Sequence, residues 1–63
     1  MKKSEYSFAT TLFVRGLLSK GKATQEQFSS AEWYTRKADS RKLLNQLGYD
    51  FKSAKAIYKE LGL

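Results

Sequence analysis

The 63-residue chain contains no cysteine, no histidine and no proline. Without cysteine it forms neither a disulfide nor a thiolate-ligated metal site, and without histidine it lacks the commonest nitrogen ligand of zinc. Histidine is also the usual proton shuttle near neutral pH. We therefore expect no metal site and no cofactor. Because proline is absent and three of the four glycines stand where helices would stop, the composition predicts an all-α protein.

Long apolar runs are absent as well. No segment approaches the ~18 consecutive apolar residues of a membrane span. The N-terminal segment MKKSEYSF also lacks the apolar core and cleavage site of a signal peptide. These two features predict a cytoplasmic protein with no membrane partner.

Residues that could carry out catalysis are few. The six acidic residues each have an ordinary role as a helix cap, a partner of the helix dipole or a surface charge. No glycine-rich loop with a phosphate-binding pattern occurs. A serine or lysine nucleophile would need an activating base and an enclosed pocket, which so short a chain rarely builds. We therefore do not expect an enzyme.

The most apolar stretch is residues 8–18, FATTLFVRGLL, whose apolar side chains cover most faces of a helix at about 100° per residue. Such a helix is normally buried on most sides. We expect a single domain over residues 1–63, built as an all-α bundle of three to four helices around this segment. Phe8 and Leu12 form a separate face. If the monomer leaves it open, we expect it to contact a second copy or a partner protein.

Capping residues predict where the first helices begin and end. Ser4 is expected to cap the first helix and Gly21 to end it. Gly16 lies inside this helix, where glycine is unfavourable, and it suggests close approach of another helix. Thr24 and Gln27 form a capping box, in which the cap and the third residue satisfy each other's backbone amides.

The middle of the chain allows two interpretations. A second capping box, formed by Ser29 and Glu32, follows the first, so a main helix begins either at Thr24 or near Ser30. Residues 36–42 contain no large apolar residue, and residues 24–47 form either one helix or two. We favour a break at Ala38–Asp39, with Asp39 capping a helix over residues 40–47.

The last helix is predicted over residues 51–61. Gly48 ends the preceding helix, Asp50 is expected to cap the last one, and Gly62 ends it. Its apolar stripe lies opposite a stripe of three lysines. Among Trp33, Tyr34, Tyr49 and Tyr58, we expect Trp33 in the core and Tyr34 to be the ring that is exposed.

The charge is strongly one-sided, because twelve lysines and arginines stand against six acidic residues and give a net charge of +6. A basic excess on a small protein is typical of binding to nucleic acid or another anionic surface. The alternative is that the charges only maintain solubility.

Residues 42–59, KLLNQLGYDFKSAKAIYK, resemble the helix-turn-helix of DNA-binding regulators. In that family a short turn, often containing glycine, joins two helices, and the second helix enters the major groove. Leu43 and Leu47 match inner positions of the first helix and Gly48 matches the turn glycine. Ala54 and Ile57 match positions that anchor the second helix.

The resemblance implies that the second helix faces DNA through Lys52, Ser53, Lys55 and Lys59. Basic residues just before it are candidates for phosphate contacts: Arg36, Lys37, Arg41 and Lys42. These four point in several directions around a helix, so only some of them can act together. The alternative reading of the lysines is that they form the solvated face of an amphipathic helix.

We therefore expect a small basic DNA-binding protein that regulates transcription or recombination. It would act as a dimer, because one short helix makes few contacts and a symmetric site doubles them. The alternative is a small helical protein-binding module or inhibitor that presents Phe8 and Leu12 to a larger partner protein.

Overall fold

A computed structural model of the chain describes residues 4–29 and 33–63. Within them the chain forms four helices and no strand: α1 (Glu5–Ser19), α2 (Gln25–Phe28), α3 (Lys37–Gln46) and α4 (Ala54–Leu61). The predicted all-α bundle of three to four helices is confirmed. In the same two ranges, no helix combines the length and the apolar character needed to cross a membrane. The predicted capping box at Glu32 lies outside the described residues.

Helix α1 is the centre of the structure, as its sequence predicts, because α3 and α4 both pack against it. It buries seven side chains, which point to several sides of the helix: Tyr6, Ser7, Ala9, Thr10, Phe13, Val14 and Leu17. Ser4 caps its N-terminus by accepting a 3.1 Å hydrogen bond from the backbone N–H of Ser7. Gly21 follows its C-terminus with a positive φ of 71°, where glycine is favoured.

The prediction that another helix approaches closely at Gly16 is wrong. A Cβ added at this position would meet no atom within 4 Å outside the local helix. Gly16 instead lines an open cleft of about 210 Å³ between the end of α1, Tyr49 and Leu61. The small size of glycine is therefore not needed here for helix packing.

Three aromatic rings connect α1 to the segment between α3 and α4. The Phe13 ring meets the rings of Tyr49 and Phe51 edge-on, with centroid distances of 4.9 and 5.1 Å. The rings of Tyr49 and Phe51 are parallel, with centroids 6.0 Å apart. This contact directs residues 49 and 51 inward and fixes the path of the connection, residues 47–53.

Trp33 and Tyr34 occupy the predicted environments. Trp33 is buried, and its indole Nε1 donates a 2.8 Å hydrogen bond to the carbonyl of Phe28. Its ring also contacts that of Phe28, at a centroid distance of 5.2 Å. The ring of Tyr34 lies on the outer side of Trp33 and is more exposed. Trp33 therefore holds the end of α2 against the core, although α2 has no buried residue of its own.

Within the described residues between 24 and 47 the chain forms two helices rather than one, as favoured, but the predicted break at Ala38–Asp39 is wrong. The Thr24–Gln27 capping box is present and begins the single turn α2. Helix α3 begins at Lys37, after an extended Arg36 that has no side-chain cap. Asp39 lies in the first turn of α3, where its carboxylate accepts a 3.0 Å hydrogen bond from Nε of Arg36 and forms an ion pair with it. A carboxylate there is favourable near the helix N-terminus without being the cap.

The predicted cap of the last helix, Asp50, is also wrong. Helix α4 begins at Ala54, and its cap is Ser53, whose hydroxyl oxygen accepts a 3.2 Å hydrogen bond from the N–H of Ala56. The reason is tertiary, because the carbonyl of Phe51 accepts a 2.7 Å hydrogen bond from the Tyr6 hydroxyl. This bond and the inward ring of Phe51 hold the preceding residues outside the helix. Gly62 ends α4 in the left-handed conformation, as predicted.

Candidate nucleic-acid interface

The outer surface of α3 carries an exposed row of basic and amide side chains. Ser40, Leu43 and Leu44 fix the opposite side of this helix in the core. An open groove of about 800 Å³ runs along the outer surface, and its described lining residues all belong to α3. We call them the α3 face: Lys37, Ala38, Arg41, Lys42, Asn45 and Gln46. They form two rows with a spacing of four residues and extend for about 14 Å along the helix axis.

Hydroxyl groups in the interior fix how α3 is oriented on α1. The Oγ atom of Ser40 lies 2.8 Å from that of Ser7, and Ser7 Oγ lies 2.8 Å from Ser4 Oγ. Ser40 Oγ also lies within hydrogen-bonding distance of the carbonyls of Trp33 and Arg36. Ser7 and Ser40 are fully buried. Because buried polar groups are costly when unpaired, this set of contacts favours a single register of α3 against α1.

Arg41 lies in the middle of the α3 face and already has an acidic neighbour. Its guanidinium donates a 3.3 Å hydrogen bond to the carboxylate of Asp50, and these side chains are 42% and 65% exposed. An ion pair this exposed stabilises a protein by about 0–1 kcal/mol. A phosphate group can therefore replace Asp50 as the partner of Arg41 at little cost.

Lys37 is positioned by an aromatic ring. Its ammonium group lies 5.5 Å from the centroid of the Tyr6 ring, a cation–π geometry. Tyr6 is itself buried and donates its hydroxyl hydrogen bond to Phe51. Burial raises the pKa of Tyr6 above its usual value, the positive charge of Arg41 opposes that rise, and Asp50 adds to it. Tyr6 is therefore a neutral donor at physiological pH.

A second basic surface lies at the C-terminal end of the chain. Lys52, Lys55 and Lys59 are exposed, and we call them the C-terminal lysines. Lys55 and Lys59 belong to α4, whereas Lys52 lies in the connection before it. The predicted contact residue Ser53 caps α4 with its hydroxyl oxygen. None of these residues lines the groove of the α3 face within the described part of the chain.

The segment that resembles a helix-turn-helix has a long connection. Residues 47–53 separate α3 from α4, whereas the turn of the motif typically has three or four residues. The main packing partner of both helices is α1. Gly48, which the resemblance matches to the turn glycine, does follow the end of α3, and its φ is positive at 92°.

The structure thus brings together three of the predicted phosphate contacts, Lys37, Arg41 and Lys42, on one helix face. Arg36 stands at the start of α3, paired with Asp39. Sequence reasoning missed Asn45 and Gln46, which extend the same two rows by one turn. Their spacing of four residues from Arg41 and Lys42 is the signal that identifies them.

The other predicted contact surface is on α1. Phe8 is 54% exposed and Leu12 is half-buried.

No three acidic side chains come together as a metal site within residues 4–29 and 33–63. Comparison with known proteins finds no family model, no curated protein and no solved structure that matches this chain.

Proposed function

We propose that this protein binds double-stranded DNA as a small regulator of transcription or recombination, with the α3 face as its contact surface. The observation that carries the proposal is the set of side chains on that face: two lysines, one arginine, one asparagine and one glutamine on an exposed helix. The net charge of +6 supports it, because phosphate neutralisation dominates the affinity of such proteins for DNA.

The chemistry of the α3 face matches the major groove. Arginine and lysine pair with the O6 and N7 acceptors of guanine, and asparagine and glutamine pair with the edge of adenine. The major groove is about 12 Å wide and admits an α-helix. Ala38 keeps one position on the face small, so the helix can approach the base edges. Arg41 and Lys42 lie in the middle of the helix, between its N-cap Arg36 and the amide residues Asn45 and Gln46.

The C-terminal lysines are the alternative contact surface for DNA. The helix-turn-helix resemblance makes α4 the helix that enters the groove, with Lys55 and Lys59 on its exposed side. Helix α4 has eight residues and carries lysines and Glu60 on its exposed side, with no arginine and no amide side chain. Lysine alone makes phosphate contacts readily, but the α3 face offers more of the groups that distinguish bases.

The first experiment measures binding to random-sequence duplex DNA over a salt series. About three to six phosphate contacts give a slope of log K against log salt of roughly −3 to −5. A slope near zero contradicts DNA binding. It would favour the competing function, a protein-binding module, which the 54% exposure of Phe8 supports.

The second experiment locates the contact surface with two charge-matched variants. One replaces Lys37, Arg41 and Lys42 by alanine, and the other replaces Lys52, Lys55 and Lys59. Each lowers the net charge of +6 by three, so both lose the same amount of long-range attraction. We expect the α3 variant to reduce the steepness of the salt slope by about two to three units and the C-terminal variant by about one at most. The reverse order would contradict the α3 face and identify α4 as the helix that contacts DNA.

A dimer would fit this function, since two α3 faces can contact two half-sites of a symmetric DNA sequence. The α3 face shares no residue with Phe8 and Leu12, so a second copy bound there would use none of the proposed DNA contacts.

A further inference from the structure

A narrow line of side chains on α1 remains outside the packing of the monomer. Glu5, Phe8 and Arg15 are exposed and Leu12 is half-buried. We call these four residues the α1 stripe. Neither Glu5 nor Arg15 makes an ion pair within residues 4–29 and 33–63. The stripe therefore combines an apolar centre with one unpaired charge of each sign at its ends.

The spacing of the stripe is that of a helix-pairing seam. Its positions are separated by three, four and three residues, which is the alternation of the inner positions in a coiled coil. The stripe extends for about 15 Å along α1. The rest of the helix is held by the core, so the stripe is presented on a fixed surface.

The stripe is also self-complementary in one orientation. Glu5 and Arg15 lie equally far from position 10, and so do Phe8 and Leu12. When two copies of α1 cross in antiparallel fashion about a two-fold axis at that level, Glu5 faces the partner's Arg15 and Phe8 faces the partner's Leu12. A parallel pairing would instead place Glu5 beside Glu5 and Arg15 beside Arg15, and like charges oppose association.

We infer that the protein forms an antiparallel homodimer through the α1 stripe, with two Glu5–Arg15 ion pairs flanking a Phe8–Leu12 centre. Such an interface is isologous, as two-fold symmetry requires, because each residue pair occurs twice. The stripe is only about 15 Å long, so the area it buries is small compared with the total of about 1,200–2,000 Å² that stable interfaces bury. The dimer is therefore weak, with a dissociation constant of roughly 10 μM to 1 mM. This inference is independent of DNA binding.

Charge reversal tests the orientation. Glu5→Arg places two arginines opposite each other at both ends of the dimer, and Arg15→Glu places two glutamates there. We expect each variant alone to have a dissociation constant at least about tenfold higher than the natural sequence, because both ion pairs become like-charge contacts. An equimolar mixture of the two variants restores both pairs, and it should form a heterodimer at the original affinity.

Sedimentation equilibrium measures these affinities, with the 7.2 kDa monomer as the reference mass. Nuclear magnetic resonance then follows one isotope-labelled variant as the other is added, and we expect shifts at Phe8, Leu12 and their neighbours. Poor folding of a variant cannot imitate the expected result, since the same two proteins are compared alone and mixed. The inference is overturned if the natural sequence is monomeric at about 1 mM, the upper limit of the dissociation constant given above. It is also overturned by a dimer whose affinity neither reversal changes, and by a mixture that associates no better than its components.

Discussion

Truncation of Phe13 tests whether α1 is the centre of the core. The Phe13 side chain is 7% exposed, and its ring contacts two other rings at 4.9 and 5.1 Å. Replacing a buried phenylalanine by alanine costs about 3–5 kcal/mol. A domain of this length has a free energy of unfolding of roughly 3–9 kcal/mol. Phe13→Ala should therefore remove most of the stability of the protein.

Phe8→Ala is a matched control on the same helix. It makes the same chemical change, and both positions gain about 0.5 kcal/mol of helix propensity when phenylalanine becomes alanine. Phe8 is 54% exposed, so its removal leaves no buried cavity in the monomer. We expect the free energy of unfolding of Phe8→Ala to lie within about 1 kcal/mol of the natural value. The difference between the two variants then measures the burial of Phe13.

Urea unfolding provides the measurement, with circular dichroism reporting on the helices and fluorescence on Trp33, the single tryptophan. Low micromolar protein keeps the chain monomeric, so dimer formation does not contribute. If Phe13→Ala loses no more than about 1 kcal/mol relative to Phe8→Ala, Phe13 is not a central core residue and the packing described around α1 is incorrect.

Two further substitutions test single features of the fold. Gly16→Ala should raise the free energy of unfolding by about 0.5–1 kcal/mol in thermal or urea denaturation, because alanine is the better helix former and its Cβ meets open space; a loss of stability would mean that the cleft is occupied. Burial raises the pKa of Tyr6 in the folded state. The contribution of Tyr6 to the free energy of unfolding is therefore complete below the unfolded pKa of about 10, and it is lost as pH rises through the folded pKa. In a pH series from 8 to about 12, Tyr6→Phe should therefore lose less stability than the natural sequence above pH 10, and equal losses in both proteins would contradict the buried environment of Tyr6.

The sequence predicts the helices well where the signals are local. Residues that cap or end a helix do so through contacts within one turn, and Ser4, Thr24, Gly48 and Gly62 all act at the predicted places. The burial of α1 also follows from sequence, because a helix with apolar side chains on most faces needs cover on most sides.

The start of α4 could not be predicted in this way. Asp50 and Ser53 are both good capping residues, so local preference does not choose between them. The choice depends on the Tyr6 hydroxyl and the Phe13 ring, which are more than thirty residues away in the chain and engage Phe51. The start of α3 is a similar case, because Ser40 contacts Ser7 in the interior.

The candidate site follows from this corrected boundary. When a break is placed at Ala38–Asp39, Lys37 and Arg41 belong to different segments and no common face is visible. With α3 beginning at Lys37, the spacing of four residues aligns Lys37, Arg41 and Asn45 in one row. A shift of only a few residues in one helix start thus decides whether the basic residues form a surface or remain scattered.

The α3 face and the α1 stripe can act together, because α1 contacts α3 on one side and presents the stripe on another. Ser7, which holds α3, and Phe8, which belongs to the α1 stripe, are adjacent in sequence and therefore lie about 100° apart around the helix. A partner on the stripe would use none of the residues of the α3 face. Each copy also brings a net charge of +6, so the dimer presents a stronger positive field than the monomer. If one DNA duplex contacts the α3 faces of both copies, DNA must raise the dimer population. By linkage, dimer formation must then raise the affinity for DNA by the same factor. A dimer that is weak in isolation would then assemble on its DNA site.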